Sequence, residues 1–205
     1  MLQTRTVEPN TLGLLKELML LPQLEQFFLV GGTALALQFG HRFSVDLDLF
    51  TTEPFDKELL FETLGEKYSL SIESQSKNIL ITYINNIKVD FVKVAYPRLY
   101  PILEIDGIRL LEVKDIAPMK LNAVTGRGSK KDFFDIFLLL KIMPLSEIIS
   151  LFKQKFNQHE VFHVIKSLNY FDDAEGYADP VVFDNSVTWE KVKKTIRDEV
   201  KSLSI

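Results

Sequence analysis

The stretch Phe27-Phe-Leu-Val-Gly31-Gly32-Thr33-Ala-Leu-Ala-Leu-Gln-Phe-Gly40-His41-Arg42-Phe43-Ser44-Val45-Asp46-Leu47-Asp48-Leu49-Phe50 decides how this 205-residue chain is read. An apolar run, Phe27 to Val30, predicts a short buried strand. Gly31-Gly32 supply a sharp turn into Thr33-Ala-Leu-Ala-Leu, a good helix former. After a polar corner, His41 to Ser44, comes an apolar strand from Val45 to Phe50 that carries two acids. Side chains alternate along a strand, so Asp46 and Asp48 share one face while Val45, Leu47 and Leu49 share the other. Two carboxylates side by side repel each other and resist desolvation; a bound cation relieves both costs. The simplest functional reading is a divalent-metal site facing a Gly-Gly turn that binds phosphate through backbone N–H groups at a helix N-terminus. The bland alternative is plain turn geometry followed by solvated acids on an edge strand.

Outward from this stretch, the chain divides into a mixed α/β part, 1–112, and a helical part, 113–205. A helix is predicted over Thr11–Leu24, capped by Asn10 or Thr11 and ended by Pro22. A second covers Asp56–Lys67. Three strands follow at Tyr68–Ser74, Asn78–Ile84 and Lys88–Ala95, with Asn85-Asn86 suited to a two-residue turn at positive φ. A small hairpin turns at Asp106-Gly107. The helical part begins with Asp115–Val124, where Pro118 falls in the first turn. Ser129 can cap a helix from Lys130 to Ile142. Leu145–Phe156, Glu160–Leu168 and Thr188–Ser202 complete the helices, and Asp172–Asn185 reads as a polar loop. The fold class is α+β, a mixed sheet with flanking helices and a helical C-terminal part.

Composition removes several functions. No cysteine is present, which excludes disulfides, thiolate zinc sites and cysteine nucleophiles. Hydrophobic residues at 46% and charged ones at 25%, with sixteen Phe, give ample material for a core. No apolar run approaches the ~18 residues of a membrane helix, so no membrane association and a cytoplasmic location are expected. A net charge of −4 argues against a generally basic nucleic-acid coat and leaves room for a local basic groove.

Asp90, inside Ile87-Lys-Val-Asp-Phe-Val, is a third acid on an apolar strand; it is either a partner for Asp46 and Asp48 or a charge guarding an edge. Further on, Lys120 lies in a segment otherwise suited to packing. Asp132 and Asp135 share a helix face, and Arg127, Lys130 and Lys131 gather at the preceding break. This is either a solvated helix start or a place where Lys120 meets a triphosphate while Asp132 or Asp135 orients it or assists the nucleophile as base.

Taken together, Gly31-Gly32-Thr33 with Gly40 through Phe50 closely resembles the first motif of the AbiEii/AbiGii-type nucleotidyltransferase toxin family, within the DNA-polymerase-β-like nucleotidyltransferase superfamily. Val89-Asp90-Phe91 matches its second motif. Ile116-Ala-Pro-Met-Lys120-Leu and Arg127-Gly-Ser-Lys-Lys-Asp132-Phe-Phe-Asp135 match its lysine and final acidic motifs. The resemblance implies transfer of a nucleoside monophosphate from an NTP with release of pyrophosphate, using Mg²⁺, two ions by analogy. It implies phosphate binding by Gly31, Gly32, Thr33 and Ser44, metal binding by Asp46, Asp48 and Asp90, triphosphate contact by Lys120, and Asp132 as a further active-site acid. Arg42, Arg127, Lys130 and Lys131 are expected to meet the acceptor, tRNA or another RNA, and a cognate antitoxin is the expected protein partner. Two other readings stay open: nucleotidyl or phosphoryl transfer to a protein or small molecule, and a catalytically silent binding module on the same fold.

Overall fold

The apolar strands assemble into one seven-stranded mixed sheet in the computed structural model, which describes residues 1–126 and 128–203. The strands are β1 (Phe28–Leu29), β2 (Leu47–Thr51), β3 (Leu70–Ser76), β4 (Ile79–Ile84), β5 (Ile87–Lys93), β6 (Leu103–Ile105) and β7 (Ile108–Leu110). Their order is β3-β4-β5-β2-β1-β7-β6. Central β2 runs antiparallel to β1 and parallel to β5, which sets Asp48 directly beside Asp90. Leu47, Leu49, Val89 and Phe91 are fully buried on the opposite face. Each such side chain contributes about 1.5–3 kcal/mol, so a one-residue register slip is strongly disfavoured.

The chain separates into two compact units. The first comprises Met1–Gly40, Ser44–Pro97 and Pro101–Leu111; the second comprises His41–Phe43, Arg98–Tyr100 and Glu112–Ile205. In the first unit, helix α1 spans Pro9–Met19 and begins two residues before the predicted start at Thr11, with Glu8 at the N-cap and Pro9 in the first turn. There its missing N–H costs nothing. The helix also ends earlier than expected, and a separate 3₁₀ turn covers Pro22–Leu24. The guanidinium of Arg109 closes this break, donating to the carbonyls of Met19, Leu24 and Phe27 at 2.8–2.9 Å. Helix α2 (Gly31–Phe39) follows β1, and α3 (Lys57–Gly65) is capped by the Asp56 carboxylate on Leu59 N–H. Asn85 and Asn86 have φ of 50° and 66°, the two-residue turn expected between β4 and β5.

The second unit holds α4 (Val113–Gly126), α5 (Lys130–Leu140), α6 (Leu145–Phe156), α7 (Phe162–Leu168), α8 (Asp172–Glu175) and α9 (Trp189–Lys201). Two expectations need correction. Pro118 is not in the first turn: α4 starts at Val113, so Pro118 lies inside the helix and leaves Lys114 C=O without its helical donor. Asp172–Asn185 is not wholly loop, because it contains α8. Phe133, Phe171 and Trp189 meet with ring centroids 5.0–5.7 Å apart, tying α5 to α9. Buried Asp115 accepts bonds from Leu99 N–H (3.0 Å), Tyr100 N–H (2.7 Å) and Lys155 Nζ (2.6 Å). That anchors the Arg98–Tyr100 segment to α4 and α6. Among the described residues no helix is long and apolar enough to cross a membrane.

Candidate active site

In the first unit the site is built where β1 turns into α2. Val30 N–H donates to Asp48 C=O at 2.9 Å, so the pairing with β2 continues one residue past the end of β1. Gly31 then adopts a φ of 70°. A Cβ built there would collide with Asp48 Oδ2. Glycine is thus required twice: for the left-handed backbone and to let a carboxylate approach the helix N-terminus, where the helix dipole favours negative charge. Gly32 is buried immediately behind.

Asp90 stands beside Asp48 in the parallel register. Burial, then the charge of Asp48, raise its carboxyl to about 6; Lys88 opposes and Asp46 adds a smaller push. Lys88 itself is engaged with Glu73 at 3.1 Å. Asp90 Oδ1 is buried with no hydrogen-bond partner among the described residues. A carboxylate pair of this kind, with mutual repulsion and an unmet oxygen, fits a hard divalent cation that takes one or two carboxylates and completes its shell with water and phosphate. As placed, no group of three or more His, Asp or Glu side chains among the described residues could hold a metal ion. Asp46 precedes the first paired residue of β2. Its backbone carbonyl accepts a short bond from Thr33 Oγ1. With that hydrogen spent, Ser44 is the donor in the 2.8 Å Thr33–Ser44 bond. The two hydroxyls therefore staple the corner, and a phosphate contact by either requires that bond to be exchanged.

The second unit contains a different arrangement of charge. Asp135, fully buried on α5, accepts four bonds: His41 Nε2 (2.7 Å) and Arg42 Nε (2.6 Å) on Oδ1, Arg42 Nη2 (2.9 Å) and Lys120 Nζ (2.7 Å) on Oδ2. Burial works against its charge, but Arg42 and Lys120 outweigh it and hold the carboxyl well below the usual carboxylate range. Lys120 is also buried; Asp135 and Asp132 overcome the burial penalty and raise its ammonium above the ordinary value. Its second partner, Asp132 Oδ1, lies at 2.9 Å. Ser129, at the start of α5, makes no side-chain cap; its hydroxyl goes to Asp132 Oδ2. For His41, burial lowers the imidazole further than Asp135 raises it, so the ring is neutral at pH 7.

The expected acceptor-binding cations fall out differently. Arg42 is buried on Asp135, and Lys130 is buried with its ammonium 2.8 Å from Asp179 and 5.3 Å from the Trp189 ring. Lys131 is half-buried. Arg127 lies outside the described residues. Asp135 was read from the sequence only as an alternative to Asp132 for orienting Lys120 or acting as base; its place as hub, and His41 as its partner, were not singled out. The available signal was an acid in the otherwise apolar run Phe133 to Leu140. Lys155 was missed altogether, although it continues the buried stripe Ile148, Leu151, Phe152 on α6.

Against this geometry, known proteins resolve the class. The family model described as nucleotidyl transferase AbiEii toxin, type IV TA system, matches residues 13–202. The chain belongs to this family. The AbiEii-family chain is 38% identical over 181 residues to the uncharacterized protein aq_aa25 of Aquifex aeolicus (strain VF5), covering 85% of this chain and 86% of that one. Its fold is similar to that of MenT4, the nucleotidyltransferase toxin Rv2826c of Mycobacterium tuberculosis H37Rv, with a TM-score of 0.59 at 13% identity over 94% of this chain and 84% of that one. JHP933 from Helicobacter pylori is similar at a TM-score of 0.52 and 18% identity, over 96% and 94% of the two chains. The chain is thus a nucleotidyltransferase of the AbiEii toxin family, with the α+β mixed-sheet fold read from its sequence.

Proposed function

We propose that this AbiEii-family enzyme transfers a nucleoside monophosphate from an NTP to RNA in the presence of Mg²⁺, acting in the cytoplasm as the toxin of a toxin–antitoxin pair. In the reaction an acceptor hydroxyl oxygen forms a bond to the α-phosphorus. The bond from that phosphorus to the bridging oxygen breaks, pyrophosphate leaves, and the hydroxyl proton passes to water. The observation that carries the reading is the Asp48–Asp90 pair beside Gly31, with a buried Asp90 oxygen that has no partner among the described residues. Asp48 and Asp90 would hold the metal, with Asp46 as the adjoining carboxylate; when bound, Mg²⁺ supplies positive charge to the phosphates and the leaving group.

In this reading residues 1–112 supply the metal and phosphate groups, and 113–205 supply the lysine and the final acid. The N–H groups of Gly31 and Gly32 open α2 and favour phosphate oxygens. Lys120 has three N–H donors, of which, among the described residues, Asp132 and Asp135 take two; the third would meet a phosphate. Asp132 keeps that ammonium charged and oriented. The RNA acceptor rests on the family resemblance and on Lys131 at the start of α5.

The test incubates the full chain with Mg²⁺, total RNA and each NTP labelled at the α-phosphate, beside an Asp48→Asn variant. Label in RNA that the variant fails to produce is the expected result. Absence of label from every fraction would sink the proposal. Label confined to protein or to acid-soluble products would move the acceptor to another class, and transfer of γ-label would make the enzyme a phosphotransferase.

A further inference from the structure

A groove of about 400 Å³ opens in the first unit, lined by none of the candidate active-site residues. One wall is the 3₁₀ turn with the residues after it, 22–26; the other is the connection from β2 into α3, 54–60. Gln26 Nε2 donates to Pro54 C=O at 3.2 Å and ties the two walls together. Phe55 sets its ring edge-on against buried Phe27, with centroids 5.1 Å apart. Pro22 and Pro54 fix φ on either side, the Asp56 cap holds the start of α3, and the Arg109 clasp holds the turn. Against this frame Leu59 leaves 51% of its surface in solvent. A lone exposed leucine is ordinary; one that lines a fixed cleft with Phe55 and two prolines offers a seat for an apolar side chain.

The margin of the groove is acidic. Glu25 lines one wall and Asp56 the other, and Glu53 and Glu58 flank the second wall in the chain. Among the described residues none of these four acids stands in an ion pair. Elsewhere in the first unit acids meet lysines, Glu17 with Lys67 and Glu73 with Lys88. Lys57 is the only cation within 22–26 and 53–60, and its ammonium donates to Ser76 C=O at 2.7 Å. Arg109 is close enough to feel the charge of Glu25, but its guanidinium donates to three backbone carbonyls. A helix start accounts for Asp56 and Glu58, whose charges suit its dipole. It does not account for Glu25 across the groove.

Charge decides between occupants. Four acids repel a nucleic-acid backbone or an anionic lipid surface and attract a cation. The apolar lining requires that the cation arrive with hydrocarbon beside it. We propose that this groove docks a short cationic segment of a partner protein. One apolar side chain of the segment packs on Phe55 and Leu59, and lysines or arginines next to it meet Glu25 and Asp56. The surface is separate from the proposed active site and does not rest on the proposed function.

An array of random octapeptides probed with the full chain, followed by fluorescence anisotropy on the enriched sequences, tests this. Enrichment of Lys or Arg on both sides of Leu, Phe or Met is the expected result. Leu59→Ser should weaken binding of such a peptide about tenfold, the scale of one lost apolar contact. Glu25→Lys should weaken it about fivefold at low salt, an effect that fades as salt screens the charges. Both residues are exposed, so both variants should keep the native melting temperature and the native rate of RNA labelling. Absence of enrichment, enrichment of acidic or uncharged sequences, or peptides that bind both variants as tightly as the native chain would each overturn the inference. So would self-association that Leu59→Ser abolishes, because a second copy of the chain would then be the occupant.

Discussion

Replacing Asp90 by asparagine should stabilise the metal-free protein while abolishing transfer. An acid raised from its ordinary 3.8 to about 6 holds its proton more tightly in the folded state than in the unfolded chain. Ionisation therefore destabilises the fold at pH above about 6, and the effect fades as pH falls towards 3.8. Fully expressed, that rise corresponds to about 3 kcal/mol. The carboxyl is only half-buried, and screening by water reduces the figure to about 1.5 kcal/mol. Asp90→Asn cannot ionise, and the introduced amide can donate to Asp48. It should exceed the native chain by about 1.5 kcal/mol at pH 8 in EDTA, and by about half of that at pH 5. Added Mg²⁺ should reverse the order, because a ligand present at a hundred times its Kd stabilises the native chain by about 2.7 kcal/mol and the variant has lost a ligating oxygen. Urea unfolding at the two pH values, with EDTA or with Mg²⁺, measures all four states. A variant less stable than the native chain at pH 8 in EDTA would refute the reasoning, since it would mean that Asp90 has a stabilising partner. So would a gap between the two proteins that Mg²⁺ does not alter.

Three other substitutions probe the remaining structure. Gly31→Ala combines a left-handed backbone with a collision at Asp48, so it should cost about 1–3 kcal/mol in urea unfolding and lose RNA labelling. Lys155→Met leaves the buried Asp115 carboxylate without its cation and should lower stability by about 3–5 kcal/mol; pairing it with Asp115→Asn should cost less than the two single changes added together. Arg42→Lys keeps the charge but cannot span both oxygens of Asp135, so it should reduce labelling and shift the melting temperature downward, checked by calorimetry beside the assay.

Local chemistry made much of this fold legible. The Asn85-Asn86 turn and the limits of α6 were written in residue types with strong positional preferences. The alternation of Leu47, Asp48 and Leu49 told which way each side chain of β2 points, and the structure keeps that pattern. The neighbours of a strand are less legible. Asp48 meets Asp90 only because β5 inserts beside β2 in parallel register, a long-range pairing with no local signature. The Arg109 clasp on the carbonyls of Met19, Leu24 and Phe27 is hidden for the same reason. Pro118 misled because proline is commonest in a first turn, and burial inside α4 tolerates what propensity discourages. Asp135 was visible as an acid in an apolar helix, but its ligands His41 and Arg42 come from a segment more than ninety residues away.

The acids of the two units are built in opposite senses, and that contrast bears on their roles. Asp90 is partly buried, sits beside another carboxylate and has one oxygen without a partner among the described residues; burial, then the neighbouring charge, raise its proton affinity. Asp135 is surrounded by Arg42, Lys120 and His41, so its proton affinity is depressed and each oxygen already accepts two bonds. Titratable groups whose surroundings push them apart are suited to different tasks. A carboxylate saturated with donors is a poor base and a poor metal ligand; it fixes the side chains around it. A carboxylate pair with an unmet oxygen on Asp90, among the described residues, is suited to a cation. On these grounds Asp48 and Asp90 are the candidates for metal, while Asp132 and Asp135 are suited to hold Lys120 charged and in place. The final acidic motif would then act through its lysine, and Asp132→Asn should weaken NTP binding, measured as a raised KM, more than it slows turnover at saturation.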